Sequence, residues 1–261
     1  MKDIDELLTF AKDSVSAIAT DFLERGPGYL GRVVREELAG KEIKIAADAF
    51  LDGELRRRFL ETGLSILTEE SGLIEQAAGE LCWVVDPLDG SINYLRGAGP
   101  SAISVALIQG TAAPLFGVVF SLDRGTLSWG GPGLGAYSDG SPIRVSGARD
   151  IAGSIVCGGF PARFRTGDTH ALSQYCGTIA RFSKVRMIGS AASSLLMVAE
   201  GRVDAYFEEE IMLWDVAAGL AIIEGAGGVW RLTPRSENPY QCRVVAAAIG
   251  LWEDVERCGL V

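Results

Sequence analysis

Leu81-Cys82-Trp83-Val84-Val85-Asp86-Pro87-Leu88-Asp89-Gly90-Ser91-Ile92-Asn93-Tyr94 is the stretch on which the rest of the chain turns. Its first five residues are an uninterrupted apolar run of strand length, the pattern of a strand buried on both faces. Asp86-Pro87 ends the run, because proline cannot donate to a ladder and biases the residue before it towards an extended shape. Two carboxylates three positions apart therefore follow directly on a buried strand. Unpaired negative charges there are too costly, so something positive must sit against them, and a hard divalent cation is the natural candidate. Gly90 and Ser91 then open a helical turn whose backbone N–H groups can hold a phosphate oxygen. An Asx-type turn, with Asp86 and Asp89 satisfying local amides, is the competing reading of this pair taken alone.

Outward from this stretch, the N-terminal side opens with an amphipathic helix over 3–25, where Ile4, Leu7, Leu8, Ala11, Val15, Ile18 and Phe22 recur at helical spacing. Gly26-Pro27-Gly28 ends it. Asp48 stands where a second helix starts, as an N-cap for residues 49–62, and Ser65–Leu67 is a short strand leading into Thr68-Glu69-Glu70-Ser71. On the C-terminal side, 102–108 with 113–120, and 126–129 with 136–145, read as strand pairs, so 65–146 is mostly sheet. Beyond it strands (154–157, 185–188, 205–207, 228–232) alternate with helices (169–181, 191–199, 216–224), which argues for an α/β half. The division falls near 146–153, giving an α+β part over 1–147 and an α/β part over 148–261.

The totals exclude several classes. The chain has 261 residues, enough for one large domain or two closely joined ones, and 48% hydrophobic with 22% charged residues is ordinary for a soluble globular protein. A net charge of −10 gives no general attraction to phosphate backbones, so nucleic acid is not an expected partner. The five cysteines are widely spaced with no CxxC, which suits neither a disulfide framework nor a zinc site. The opening MKDIDELLTFAKDS carries acids where a signal peptide needs bases, and no apolar run is long enough to span a membrane, so a reduced cytoplasmic setting is expected.

Two more acidic positions matter. Asp215, in Trp214-Asp215-Val216-Ala217-Ala218-Gly219, reads as an N-cap for the helix 216–224, and a capping aspartate stays ionised as a metal requires. The pair Glu69-Glu70 taken alone is a solvated loop. A glutamate pair, a D-P-[IL]-D-G-[ST]-x-N-[FY] box and W-D-x-A-[AG]-G, in this order, together resemble the inositol monophosphatase family, over about Asp48 to Val245. Tyr94 replaces the commoner phenylalanine, Met212 stands where some members have histidine, and Ile43 to Asp48 lacks the threonines often seen before the aspartate.

The resemblance implies a layered αβαβα sandwich of the inositol monophosphatase and fructose-1,6-bisphosphatase type, and hydrolysis of a phosphate monoester with two or three Mg²⁺ ions. Glu69, Asp86 and the Leu88 carbonyl would hold one ion, and Asp86, Asp89 and Asp215 a second. Glu69 would also help place a third. Asp48 and Ser91 would orient the attacking water, with Gly90 and Ser91 on the phosphate. Asp89, Asp215, Glu208 and the segment Gly189-Ser190-Ala191 would meet the substrate. A small phosphorylated polyol, inositol 1-phosphate by default, is the implied substrate. Fructose 1,6-bisphosphate, histidinol phosphate and 3′-phosphoadenosine 5′-phosphate are the alternatives. A homodimer and inhibition by lithium are implied in the same way. A Mg²⁺-binding regulatory protein that retains the fold is the non-enzymatic alternative.

Other chemistries fit less well. Cys157 to Arg163 matches the C-x5-R pattern of cysteine-dependent phosphatases, but no histidine precedes it and Phe164 follows where a hydroxyl is usual. DxxD spacing differs from the DxD of haloacid-dehalogenase phosphatases. Gly131-Pro132-Gly133-Leu134-Gly135 reads as a hairpin loop, not a dinucleotide fingerprint. His170, the only histidine, is expected at the surface.

Overall fold

A computed structural model describes residues 3–26, 33–36, 43–76, 79–110, 113–160, 169–235 and 238–259. Pro27, Gly28 and Arg163 lie outside the described residues. Helix α1 (Ile4–Arg25) starts on Asp3, whose carboxylate accepts from the Asp5 N–H at 3.1 Å, and stops at Gly26 with φ 75°. A two-stranded antiparallel ribbon follows, β1 (Val33–Glu36) with β2 (Ile43–Ile45). Helix α2 (Ala46–Leu60) begins two residues before the expected cap, so Asp48 is its third residue and not its N-cap.

The larger sheet has eight strands: β3 (Ser65–Thr68), β4 (Gly72–Ile74), β5 (Leu81–Asp89), β6 (Ala102–Gln109), β7 (Ala113–Ser121), β8 (Thr126–Gly131), β9 (Gly135–Ser138) and β10 (Ser141–Pro142). Their order is β10-β9-β8-β7-β6-β5-β3-β4, and every neighbouring pair is antiparallel except β3 and β5. Strand β5 does not stop at Val85. It runs on to Asp89 through a bulge, since Asp86 pairs with Ser104 while Asp89 pairs with Ala102. Pro87 sits inside that bulge, where its missing N–H loses no ladder bond. Helix α3 (Ser91–Arg96) follows at once.

The smaller sheet is β11 (Ile155–Gly158), β12 (Lys184–Arg186), β13 (Ala205–Met212), β14 (Gly228–Pro234) and β15 (Gln241–Ala248), in the order β12-β11-β13-β15-β14. Strand β11 is parallel to β12 and β13, whereas β15 is antiparallel to both its neighbours. Helices α4 (Thr169–Ile179), α5 (Ala191–Ala199), α6 (Leu213–Gly225) and α7 (Trp252–Arg257) complete the described α-helices.

Alternation along the strands assigns the layers. Trp83, Val85, Ile103 and Val105 pack against Leu8, Val15, Leu51 and Phe59 of α1 and α2, with Phe59 edge-on to Trp83 at 4.9 Å. Val84, Ala102 and Ala106 face the other way, onto α5 and α6, which also receive Cys157, Tyr206, Val244 and Ala246 from the smaller sheet. The remaining face, with Val156, Phe207 and Val245, packs on Tyr175 of α4 and Val255 of α7. The result is the expected αβαβα stack. Helix α6 lies so close to β7 that a Cβ on Gly117 would stand 2.2 Å from the Ala218 carbonyl oxygen. Among the described residues no helix is long and apolar enough to cross a membrane.

Candidate active site

The parallel pairing of β3 with β5 puts Thr68 opposite Val85, so the next residues stand side by side, Glu69 just past the end of β3 and Asp86 at the start of the β5 bulge. Asp215 arrives from the first turn of α6. Helix α6 starts at Leu213, so Asp215 is not the cap; its Oδ2 instead accepts from the Met212 N–H at 3.1 Å. Glu69, Asp86 and Asp215 each offer an oxygen within 4.8 Å of the other two. Asp86 is 1% exposed.

Asp89 lines the same cleft but is held differently. Its carboxylate accepts from Ser190 Oγ, from the Ala191 N–H at 3.1 Å and from the Ala192 N–H at 2.7 Å, so it binds the N-terminus of α5 to the end of β5. Two neighbours reinforce that junction. Asn93 Nδ2 donates to the carbonyls of Pro100 (2.9 Å) and Ile188 (2.8 Å). Gly90 has φ 80°, and a Cβ there would come 2.9 Å from the Pro100 carbonyl and 3.2 Å from that of Gly189. The box is thereby pressed against Gly189-Ser190-Ala191. Nothing in its sequence announced this bridging role of Asn93.

Ser91 Oγ stands 2.8 Å from Asp48 Oδ1 and 2.9 Å from the Leu88 carbonyl. Asp48 is itself buried. Glu208, at a bulge in β13, lines the far wall of a cleft of about 590 Å³ that also shows Glu69, Asp86, Asp89, Ser91 and Asp215. Every site residue expected from the sequence lines this cleft or, in Asp48's case, touches a residue that does.

The electrostatics are those of acids crowded out of water. Burial first, then the charges of Glu69, Asp89 and Asp215, hold the Asp86 carboxyl well above its ordinary range. Burial and the same kind of repulsion, from Glu69 and Asp89, do this to Asp215. Asp89 is pushed up to about 6 by burial, opposed by its three hydrogen bonds to α5, and Glu208 to about 7, again by burial. An all-oxygen set of buried carboxylates that repel one another suits a hard divalent cation. The thiols near it are poor competitors: Cys242, raised to about 12 by burial and by Asp215 and Glu208, stays protonated, as does Cys157 at about 11. Cys157 is also fully buried, which removes it as an accessible nucleophile. His170 is exposed.

These shifts predict how stability follows pH. Carboxyls raised above their unfolded values of about 4 stabilise the fold below that pH and lose the contribution as pH rises through their folded values. For Asp89 and Glu208 those are about 6 and about 7. Chelator-treated protein should therefore melt at a lower temperature at pH 7.5 than at pH 5. Saturating Mg²⁺ should restore about 5 °C or more at pH 7.5 and much less at pH 5. Differential scanning fluorimetry reads both, and a Mg²⁺ effect that does not vary with pH would break the link between the acids and the ion.

Known proteins provide an independent comparison. Residues 6–257 match the inositol monophosphatase family. The chain is 36% identical over 210 residues to a Nus factor SuhB of Xylella fastidiosa, covering 78% of this chain and 74% of that one. It is 35% identical over 208 residues to a fructose-1,6-bisphosphatase/inositol-1-monophosphatase of Aquifex aeolicus, covering 77% and 78%. The solved inositol monophosphatase of Anabaena superposes with a TM-score of 0.76 at 30% identity, over 98% of this chain and 96% of that one. With a family match over almost the whole length, on a cleft built from the same three acidic motifs, the chain belongs to the inositol monophosphatase family.

Proposed function

We propose that the protein is a Mg²⁺-dependent phosphomonoesterase that hydrolyses a small phosphorylated polyol, inositol monophosphate first among them, by attack of water with no phosphoenzyme. The observation that carries this is the meeting of Glu69, Asp86 and Asp215 within 4.8 Å in a cleft that also presents Ser91 and Glu208. Glu69, Asp86 and the Leu88 carbonyl would hold one ion, and Asp86, Asp89 and Asp215 another. An ion held there would supply positive charge to the phosphoryl oxygens and the departing oxygen and would lower the pKa of a bound water.

The chain's own groups do the rest. The single Ser91 proton goes to the carboxylate of Asp48, the stronger acceptor, which leaves the Ser91 oxygen free to accept from a water and aim it at phosphorus. The Gly90 and Ser91 N–H groups meet the phosphate, and Glu208 accepts hydrogen bonds from the free hydroxyls of the polyol. In this reading residues 1–147 supply Glu69, Asp86, Asp89 and the water-orienting pair, while 148–261 close the site with Asp215 and Glu208.

Phosphate release from a panel of esters is the test. With Mg²⁺ the protein should turn over inositol 1-phosphate or a related sugar phosphate, and chelation should abolish turnover. The Aquifex relative's name makes fructose 1,6-bisphosphate the second ester to try. Mg²⁺ binding with no turnover on any ester would favour the second reading, a regulatory protein, for which the Nus factor name of the Xylella relative speaks.

A further inference from the structure

Glu208 is held by two donors, one of them braced from behind, all from residues outside the family's acidic motifs. Tyr206 and Glu208 are two apart on β13, so their side chains stand on the same face of the strand. The Tyr206 hydroxyl, on a ring 1% exposed, donates to Glu208 Oε2 at 2.5 Å. The backbone N–H of Gly159, just past the end of β11, donates to the same carboxylate. Glu208 lies so flat on that peptide that a Cβ on Gly159 would meet its Oε1 at 2.3 Å. On the far side the Tyr175 hydroxyl of α4 donates to the Gly159 carbonyl at 3.0 Å and fixes the peptide. Burial and the neighbouring carboxylates keep the Tyr206 phenol protonated, so towards Glu208 it is the donor.

A carboxylate that takes two donors from the protein keeps its remaining lone pairs for the cleft, and these can only accept. What they suit is a partner bearing hydroxyl donors, in a fixed place relative to the phosphorus. We propose that Tyr206, with Gly159 behind it, is a positioning residue that aims Glu208 at the hydroxyl groups of the substrate and so selects polyol esters over plain ones. This rests on the phosphatase reading above. Tyr206 acts through Glu208 and takes no part in bond breaking, so its loss should be felt only where there are hydroxyls to hold.

The test is steady-state kinetics with Mg²⁺ on two esters, myo-inositol 1-phosphate and p-nitrophenyl phosphate, which carries no hydroxyl beside its ester. Tyr206→Phe keeps the buried ring and removes the donor. KM for inositol 1-phosphate should rise about tenfold, the worth of one hydrogen bond to a charged group, with kcat little changed. Both constants for p-nitrophenyl phosphate should stay at wild-type values. Gly159→Ala, whose Cβ pushes the carboxylate out of place, should give the same ester-selective loss and carries the test if Tyr206→Phe fails to fold. Equal losses on the two esters, or no change on either, would overturn the positioning role while leaving the phosphatase reading intact. A wild-type protein that releases phosphate from other esters but not from inositol 1-phosphate would overturn this proposal alone, and one inert on every ester of the panel would remove the phosphatase reading with it.

Discussion

Asp86→Asn is expected to raise the melting temperature of the metal-free protein while cutting Mg²⁺-dependent phosphate release at least about a thousandfold. The two effects have one cause. Asp86 is buried and its charge is opposed by burial and by Glu69, Asp89 and Asp215. Above about pH 5 the fold must either bury that charge or take up a proton to neutralise it, and both are costly. The amide is nearly the same shape, and its carbonyl oxygen can still accept from the Leu88 N–H, now 3.0 Å from Asp86 Oδ1. The gain in stability should therefore be clear at pH 7.5 and fade towards pH 4, where the unfolded carboxyl is protonated too. With Mg²⁺ present the order should reverse, because the wild type gains a bound ion that the variant holds poorly. A purely structural aspartate turn would make the opposite forecast: lower stability at every pH and unchanged turnover.

The second large effect concerns water. Ser91→Ala and Asp48→Asn should each lower kcat by about a hundredfold or more, with little change in the Mg²⁺ concentration needed for half-activation. Their contact at 2.8 Å, with the carboxylate buried, makes them one unit. The double variant should consequently be scarcely worse than either single one, since removing one member already idles the other. Ser91→Thr keeps the hydroxyl and should retain most activity. Fully additive losses, or a threonine variant as weak as the alanine one, would dissolve the dyad.

The parts of the site legible in the sequence were those written in consecutive residues. The box from Asp86 to Tyr94 carries its ligands, its glycine and its asparagine in one stretch, and the Trp214–Gly219 motif does the same for Asp215. Local cues failed where backbone pairing decided the outcome. Asp48 and Asp215 read as caps because an acid before a helical pattern usually is one. Both instead lie in the first helical turn, since α2 starts directly on the end of β2 and α6 directly on the end of β13. Pro87 read as a stop because a regular ladder would reject it, whereas a bulge accepts it. Strand β15 went unread: its alanine-rich end carries no strand signal, and its identity comes from pairing on both sides with β13 and β14. The bracing of Glu208 had no local signature at all. Glu208-Glu209-Glu210 reads as a solvated charge run, and only the fold brings Gly159 to the first of the three, with Tyr175 behind it.

The most direct measurement is an anomalous-scattering map from crystals grown with Mn²⁺, a hard ion that takes the same oxygen ligands as Mg²⁺ and can be located by its own signal. A strong peak should appear bound jointly by the carboxylates of Glu69, Asp86 and Asp215, and it should be lost in Asp86→Asn crystals. Strong peaks elsewhere with none among these three acids, or a peak that survives the Asp86 substitution unchanged, would contradict it.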